Sequence, residues 1–201
     1  MKLYFKPGAC SLSPHIALEE SGLDYETESV DLKTKRTAQN DDFNVINPKG
    51  YVPALLLDDG VLLTEGPAIL QYIADQAPGR KLAPANGTIA RYLLQGWLNF
   101  IATELHKSFS PFFNPAAKDE WKALARANLE RRLGYTDAQL AGKAYLMGDD
   151  FSVADAYLFT VLSWARHIQL DLAQWPHLSA FVARVSERPA VQAVLKTESL
   201  G

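Results

Sequence analysis

Lys2-Leu3-Tyr4-Phe5-Lys6-Pro7-Gly8-Ala9-Cys10-Ser11-Leu12-Ser13-Pro14-His15-Ile16-Ala17-Leu18 opens as an apolar strand and restarts as a helix. Pro7-Gly8 ends the strand, because proline fixes φ and glycine reaches turn conformations that other residues avoid. Ser13-Pro14 predicts the helix start, with serine as N-cap and proline at the first helical position, where its missing N–H has no partner to lose. Ile16, Ala17 and Leu18 supply apolar contacts, and Gly22 predicts the C-terminal stop.

Working outward, Glu26 to Asp31 alternates weakly around Val30 and Leu32 and predicts a second strand. Thr37 to Val45 is polar and admits a short helix. Asn47-Pro48-Lys49-Gly50 is a loop signal. Val52 to Leu57 is the continuous apolar run of a buried strand. Asp58-Asp59-Gly60 predicts a hairpin turn from which Val61-Leu62-Leu63 returns. Thr64 is expected to cap a helix whose Ile69, Leu70 and Ile73 recur at helical spacing and which Pro78-Gly79 ends. The order βαβαββα is an open α/β layer with a hairpin at one edge.

Beyond a linker at Leu82 to Gly87 no strand pattern follows. Ile89, Leu93, Trp97, Phe100, Ile101 and Leu105 step along one helical face. Trp121, Leu124, Leu129 and Leu133 make a second long helix. Val153 to Arg166 is a third, very apolar and so expected to be central. Leu178, Phe181, Val182 and Val185 make a fourth, stopped near Pro189. Two domains are expected: an α/β module over residues 1–81 and an all-helical module over 87–201.

Of the 201 residues 48% are hydrophobic and 21% charged, which suits a folded chain with a real core. The net charge of −3 argues against a phosphate-backbone binder, so no nucleic-acid partner is expected. Lys6 and Pro7 interrupt any leader-like apolar run, and no apolar stretch reaches the ~18 residues of a membrane span. One cysteine excludes an intrachain disulfide. A cytoplasmic protein without membrane partners is the expectation.

The single Cys10 falls between strand end and helix start. The positive end of a helix dipole favours a thiolate there, while a lone cysteine can equally be a buried structural residue. Val52-Pro53 precedes a buried strand, where proline fits poorly. A cis bond would place a turn there and present the Val52 backbone to a ligand, and a trans proline at a strand start is the plainer alternative. Glu65 at a helix start could hold a cationic group and the Gly66 N–H a carboxylate, or the pair could be a simple cap. Asn99, Thr103 and His106, spaced i, i+4, i+7, share one helical face flanked by Glu104 and Lys107, either a site or a solvated surface. A single histidine without a second at metal-ligand spacing gives no metal signal. Ser152-Val153-Ala154-Asp155 is a capping box with a structural role, and Lys33-Thr34-Lys35-Arg36 is by itself a solvated basic loop.

Taken together, these pieces resemble a bacterial glutathione S-transferase of the beta class. The matching stretches are Met1 to Tyr4 into Pro7 to His15, Asn47 to Gly50 with Val52-Pro53, and Leu63-Thr64-Glu65-Gly66 with Ala68-Ile69. Trp97 to Phe100, Thr103 to Lys107, Ser152 to Tyr157 and Glu187-Arg188-Pro189 complete them. Each motif is weak alone, and their order and spacing over the whole chain are specific. The resemblance implies a glutathione S-transferase fold: a thioredoxin-like N-terminal domain, an all-helical C-terminal domain, and pairing as a homodimer.

It also implies glutathione as co-substrate, with no metal. The γ-glutamyl end would lie on Glu65 and Gly66, and the cysteinyl part on the Val52 backbone beside cis-Pro53 as a short β-addition. Cys10 would face the glutathione sulfur, Lys35 would reach the glycyl carboxylate, and Asn99, Thr103, Glu104 and His106 would close the site. Cys10 and His106 are the catalytic candidates. Related classes place a serine where Gly66 stands, so a hydroxyl contact is missing here. Phe109, Phe112, Phe113, Tyr157, Trp164 and His167 would line a pocket for the electrophile, although each could equally be core. The activity implied is attack of the glutathione thiolate on small hydrophobic electrophiles in detoxification. Peroxide reduction or thiol–disulfide exchange through Cys10 could accompany it. The contrasting reading is a glutathione-binding carrier or stress-related interaction protein with little turnover.

Overall fold

A computed structural model describes residues 1–200 in two compact units. One comprises Met1–Ala83 with the segment from Arg188 onward, the other Pro84–Glu187. The linker expected at 82–87 contains this boundary. The end of the chain differs from the expected 87–201 module. The final helix groups with the first unit, where the preceding Arg188 reaches the Glu20 carboxylate through Nε and Nη2 at 2.6 and 2.9 Å.

The first unit is built on five strands: β1 (Lys2–Phe5), β2 (Glu26–Asp31), β3 (Arg36–Thr37), β4 (Ala54–Leu56) and β5 (Leu62–Thr64). Their order is β3-β2-β1-β4-β5. Strands β1 and β2 are parallel, with Lys2 opposite Glu26, and the other pairings are antiparallel. Helix α1 (Leu12–Ser21) makes the crossover that a parallel pair requires. Gly22 ends it at φ 68°, a left-handed position that suits glycine. Helix α2 (Phe43–Ile46) is one turn, capped by Asp42, whose side chain accepts from the Asn44 N–H. Helix α3 (Gly66–Gln76) buries Ile69, Leu70, Ile73 and Ala74. One face of the sheet packs Tyr4, Val30, Phe43, Val52 and Ala54 together. Burying each such large apolar side chain contributes roughly 1.5–3 kcal/mol.

Several local expectations shift. The two-residue β3 is additional to the expected order, and it pairs Thr37 with Val30 inside a stretch read as polar. The run Val52 to Leu57 narrows to Ala54–Leu56, and its first peptide bond, Val52-Pro53, is cis. Thr64 is the last strand residue and Glu65 occupies the cap position. Helix α1 begins before Ser13, whose hydroxyl donates back to the Cys10 carbonyl at 2.8 Å, and Ser11 precedes the first turn.

The second unit is helical. It contains α4 (Ile89–Phe100), a π-helical segment (Ile101–His106), α5 (Lys107–Phe113), α6 (Asp119–Leu140), α7 (Val153–Leu162) and α8 (Pro176–Ser186). A ninth helix, α9 (Pro189–Thr197), belongs to the first unit; Pro189 starts this helix as well as following the previous one. Every residue of α7 is buried, as its composition predicts. The capping box forms: the Asp155 carboxylate accepts from the Ser152 N–H and hydroxyl and from the Leu146 N–H, all at 2.7–2.8 Å. Along α4 the buried apolar residues are Leu94 and Leu98, while Ile89 and Leu93 are 76% and 59% exposed. Trp121 and Leu124 of α6 are also exposed, and Leu129 and Leu133 carry its buried face. No helix among the described residues is long and apolar enough to cross a membrane.

Candidate functional site

In the first unit three separate chain segments deliver their site residues to one loop, residues 49–53. Cys10, from the turn before α1, donates its S–H to the Val52 carbonyl at 3.3 Å. Lys35, from the β2–β3 turn, donates through Nζ to the Gly50 carbonyl at 2.6 Å. Glu65, between β5 and α3, accepts through Oε1 from Lys49 Nζ and from the Tyr51 hydroxyl, each at 2.7 Å. The loop itself is shaped by Asn47, whose amide donates to the Tyr51 carbonyl at 2.8 Å, and by Gly50 at φ 67°. Val52 and Pro53, its last two residues, are buried.

Two of these positions carry backbone strain. Lys35 and Glu65 have φ of 58° and 71°, the left-handed region that costs a residue with a Cβ of order 1–3 kcal/mol. The surrounding hydrogen bonds hold both in place. Gly66, the first residue of α3, has open space on its Cβ side, with Pro53 Cγ nearest at 4.0 Å. The bond to Glu65 raises Lys49 and Tyr51 above their ordinary pKa values.

The turn carrying Cys10 is anchored from the chain's other end. Glu198 is fully buried and accepts from the Gly8 N–H at 2.9 Å, and His15 Nδ1 lies 2.8 Å from its second oxygen. Ser11 closes the same turn on Lys6, accepting from its N–H and donating to its carbonyl. Sequence reasoning missed Lys49, Tyr51, His15 and Glu198. Lys49 and Tyr51 flank the glycine of the loop motif and could have been read from it. Nothing near Glu198 in the sequence signals a partner 183 residues away.

In the second unit the expected stripe divides. Asn99 and Thr103 remain together and exposed, Thr103 Oγ1 donating to the Asn99 carbonyl at 3.0 Å. His106 leaves their face because the segment Ile101–His106 is π-helical, and its wider turn spoils the i, i+7 alignment of an α-helix. Its Nδ1 instead lies 2.8 Å from the Tyr157 hydroxyl, with its ring edge-on to Trp164 at 4.8 Å between centroids. Burial, and then the Lys107 charge, push the imidazole pKa down to about 4, so His106 is neutral at neutral pH. Glu104 pairs with Arg132 at 2.7 Å.

Among the expected pocket aromatics, Phe109 and Phe113 lie edge-on to Trp164 at 5.6 and 5.9 Å, with His167 against Phe113. Phe109, Tyr157 and Trp164 are buried in the core of this unit. Phe112 is half-buried, and Phe113 and His167 are the exposed members. Among the described residues no group of three or more His, Cys, Asp and Glu is placed to hold a metal ion.

Comparison with known proteins adds an independent line. Residues 1–75 match the model of the glutathione S-transferase N-terminal domain, and residues 100–189 that of the C-terminal domain. The chain is 52% identical over 200 residues to glutathione S-transferase GstA of Escherichia coli, covering all of both chains. A sphingomonad glutathione S-transferase complexed with glutathione is 49% identical, with a TM-score of 0.97 over the full length of both. The beta-class enzyme of Sphingomonas chungbukensis is 48% identical, also at 0.97 over both chains.

Proposed function

The chain belongs to the glutathione S-transferase family, and on that premise we propose that it conjugates reduced glutathione to small hydrophobic electrophiles. The observation that carries this reading is the convergence of Cys10, Lys35 and Glu65 on the loop 49–53. That loop offers a tripeptide with two carboxylates and one ammonium a complementary set of groups. Glu65 suits the γ-glutamyl ammonium, and the Gly66 N–H at the start of α3 suits its carboxylate. The Val52 backbone suits main-chain pairing with the cysteinyl residue. Lys35 suits the glycyl carboxylate. Asn99, Thr103 and Glu104 are the further candidate glutathione contacts.

His106 would donate a hydrogen bond to the glutathione sulfur. A donor aimed at a thiolate stabilises the charged form, which raises the reactive fraction at neutral pH. The thiolate then forms the new S–C bond as the leaving group departs from the electrophile with its electron pair. Phe112, Phe113 and His167, the accessible aromatics, would contact the apolar electrophile. The exposed Ile89, Tyr92 and Leu93 of α4 and Trp121 and Leu124 of α6 support a homodimer, since such residues gain from burial against a second copy.

A substrate panel with reduced glutathione tests the reading. Conjugation of an activated chloronitrobenzene should saturate in both substrates and exceed peroxide and disulfide reduction. Tight glutathione binding without any turnover would favour the carrier reading instead.

A further inference from the structure

Resting on the reading that His106 acts on the glutathione sulfur, we propose that Tyr157 is the positioning residue for His106. Its hydroxyl donates to Nδ1 and fixes the single imidazole proton on Nε2. The function described above assigns His106 a role on sulfur but gives no reason why the correct nitrogen should carry the proton. A neutral imidazole has two tautomers, and which one is present is set by the bond made at the other nitrogen. Tyr157 makes that bond, at 2.8 Å to Nδ1.

The direction of the bond follows from chemistry. A phenol O–H is a stronger acid than the N–H of a neutral imidazole, and a bare ring nitrogen is a stronger acceptor than a phenol oxygen. The arrangement O–H to Nδ1 therefore prevails over its reverse. Tyr157 is 3% exposed, and a buried phenol uses its hydroxyl in a hydrogen bond.

The elements around the pair make it rigid. Tyr157 lies on α7, buried along its whole length and fixed at its start by the Ser152–Asp155 capping box. The π-helical turn brings His106 to it, and Trp164, held by Phe109 and Phe113, braces the imidazole ring. The charged neighbours on the same segment are Lys107, which disfavours a second proton, and Glu104, which is paired with Arg132. The proton count on the ring is therefore one throughout the neutral range.

The consequence is a division of roles. With Nδ1 satisfied by Tyr157, the nitrogen left for a ligand is Nε2, and it carries a proton. His106 is then a donor to a thiolate already formed, not the base that takes the thiol proton. The other tautomer would offer a lone pair, which repels a thiolate.

Nitrogen–proton correlation NMR of the full-length protein reads the tautomer without turnover, with His106→Asn assigning the signal. Wild type should show the Nε2–H form at neutral pH. Tyr157→Phe, which keeps the ring, should give a tautomer mixture and lower kcat for conjugation roughly fivefold, the loss of one hydrogen bond. The glutathione KM should change less than kcat. An Nδ1–H form in wild type overturns the proposal even if Tyr157→Phe does not fold. So does an unchanged tautomer in Tyr157→Phe. A changed tautomer with unaltered kcat in both Tyr157→Phe and His106→Ala overturns the role given to His106 on sulfur.

Discussion

Cys10 Sγ and the Val52 carbonyl oxygen are 3.3 Å apart, so the only thiol of the chain donates its proton to the residue before the cis proline. A sulfur engaged as donor is held at the loop and is a thiol in that bond. That proton has to leave before Cys10 can attack a disulfide, because the thiolate is the exchanging form. Oxidised glutathione should therefore add one glutathionyl group, with release of one glutathione thiolate, and intact-mass measurement should locate it at Cys10. Cys10→Ala should abolish the adduct. It should also slow conjugation less than His106→Ala, whose lost donor to a charged sulfur is worth roughly 1.5–3 kcal/mol, on the order of tenfold to a hundredfold in rate. A larger loss in Cys10→Ala would make Cys10 the reacting thiol.

Two buried groups of the second unit pull stability in opposite directions with pH. Burial pushes the Asp155 carboxyl from 3.8 up to about 6, so its contribution is complete below pH 3.8 and is lost as pH rises through about 6. His106 is pushed from 6.5 down to about 4, so its contribution is complete above pH 6.5 and is lost as pH falls through about 4. Measured against wild type, the destabilisation of Asp155→Asn should shrink as pH rises from about 4 to 6, and that of His106→Gln should grow from about 4 to 6.5. Denaturant midpoints over this range check both. Ser152→Ala, which removes the hydroxyl's bonds to the Asp155 backbone N–H and carboxylate, should cost about 0.5–2 kcal/mol while kinetic constants hold.

Glu198 ties α9 to the Cys10 turn. Glu198→Ala leaves buried His15 without the carboxylate beside its Nδ1, at about 1–3 kcal/mol, and removes the half-buried Gly8 N–H's bond to that carboxylate. The denaturation midpoint should fall sharply, and the glutathione KM should rise because the turn loosens. Glu198→Gln keeps one acceptor and should lose less. Equal stability in all three proteins would remove the clamp from the account.

The sequence carried the local punctuation well and the long-range anchors poorly. Strands at Lys2–Phe5 and Glu26–Asp31, the stop at Gly22, the hairpin at Asp58 to Gly60 and the capping box all rest on residues within a few positions of one another. Pro111 inside α5 obscures that helix in the sequence, and Pro189, which follows one helix, also starts the next. Of the apolar face expected along this segment, Ile101 and Leu105 are buried, while Leu94 and Leu98 are buried in place of Leu93 and Trp97, a choice that only packing makes between adjacent hydrophobic residues. The π-helical turn that redirects His106 is a shift in backbone hydrogen bonding that no residue type announces. Of the candidate site, Cys10, Val52 and Glu65 were legible from their motifs. What holds them, Lys49, Tyr51 and Glu198, emerges only when distant segments meet.

Gly66 stands where an added side chain would meet nothing closer than Pro53 Cγ at 4.0 Å. Gly66→Ala should be tolerated and stabilise the protein by about 0.5–1 kcal/mol through chain entropy. Gly66→Ser also adds a hydroxyl at the start of α3 and should lower the glutathione KM. Gly50→Ala should do the opposite. Its φ of 67° is strained for alanine, and the added Cβ would lie 3.0 Å from Asn44 Oδ1 beside the Lys35 contact. A Gly66→Ser protein with weaker glutathione binding would place the γ-glutamyl end elsewhere.

The central claim is that the loop 49–53 and the three residues gathered on it bind glutathione for conjugation. Initial-rate kinetics of wild type and Glu65→Gln, with reduced glutathione and an activated chloronitrobenzene, test it most directly. The account predicts saturable conjugation by wild type. In Glu65→Gln it predicts a glutathione KM raised on the order of tenfold, the loss of one charge-assisted hydrogen bond, with kcat far less affected. Conjugation no faster than the uncatalysed reaction, or an unchanged glutathione KM in Glu65→Gln, would contradict it.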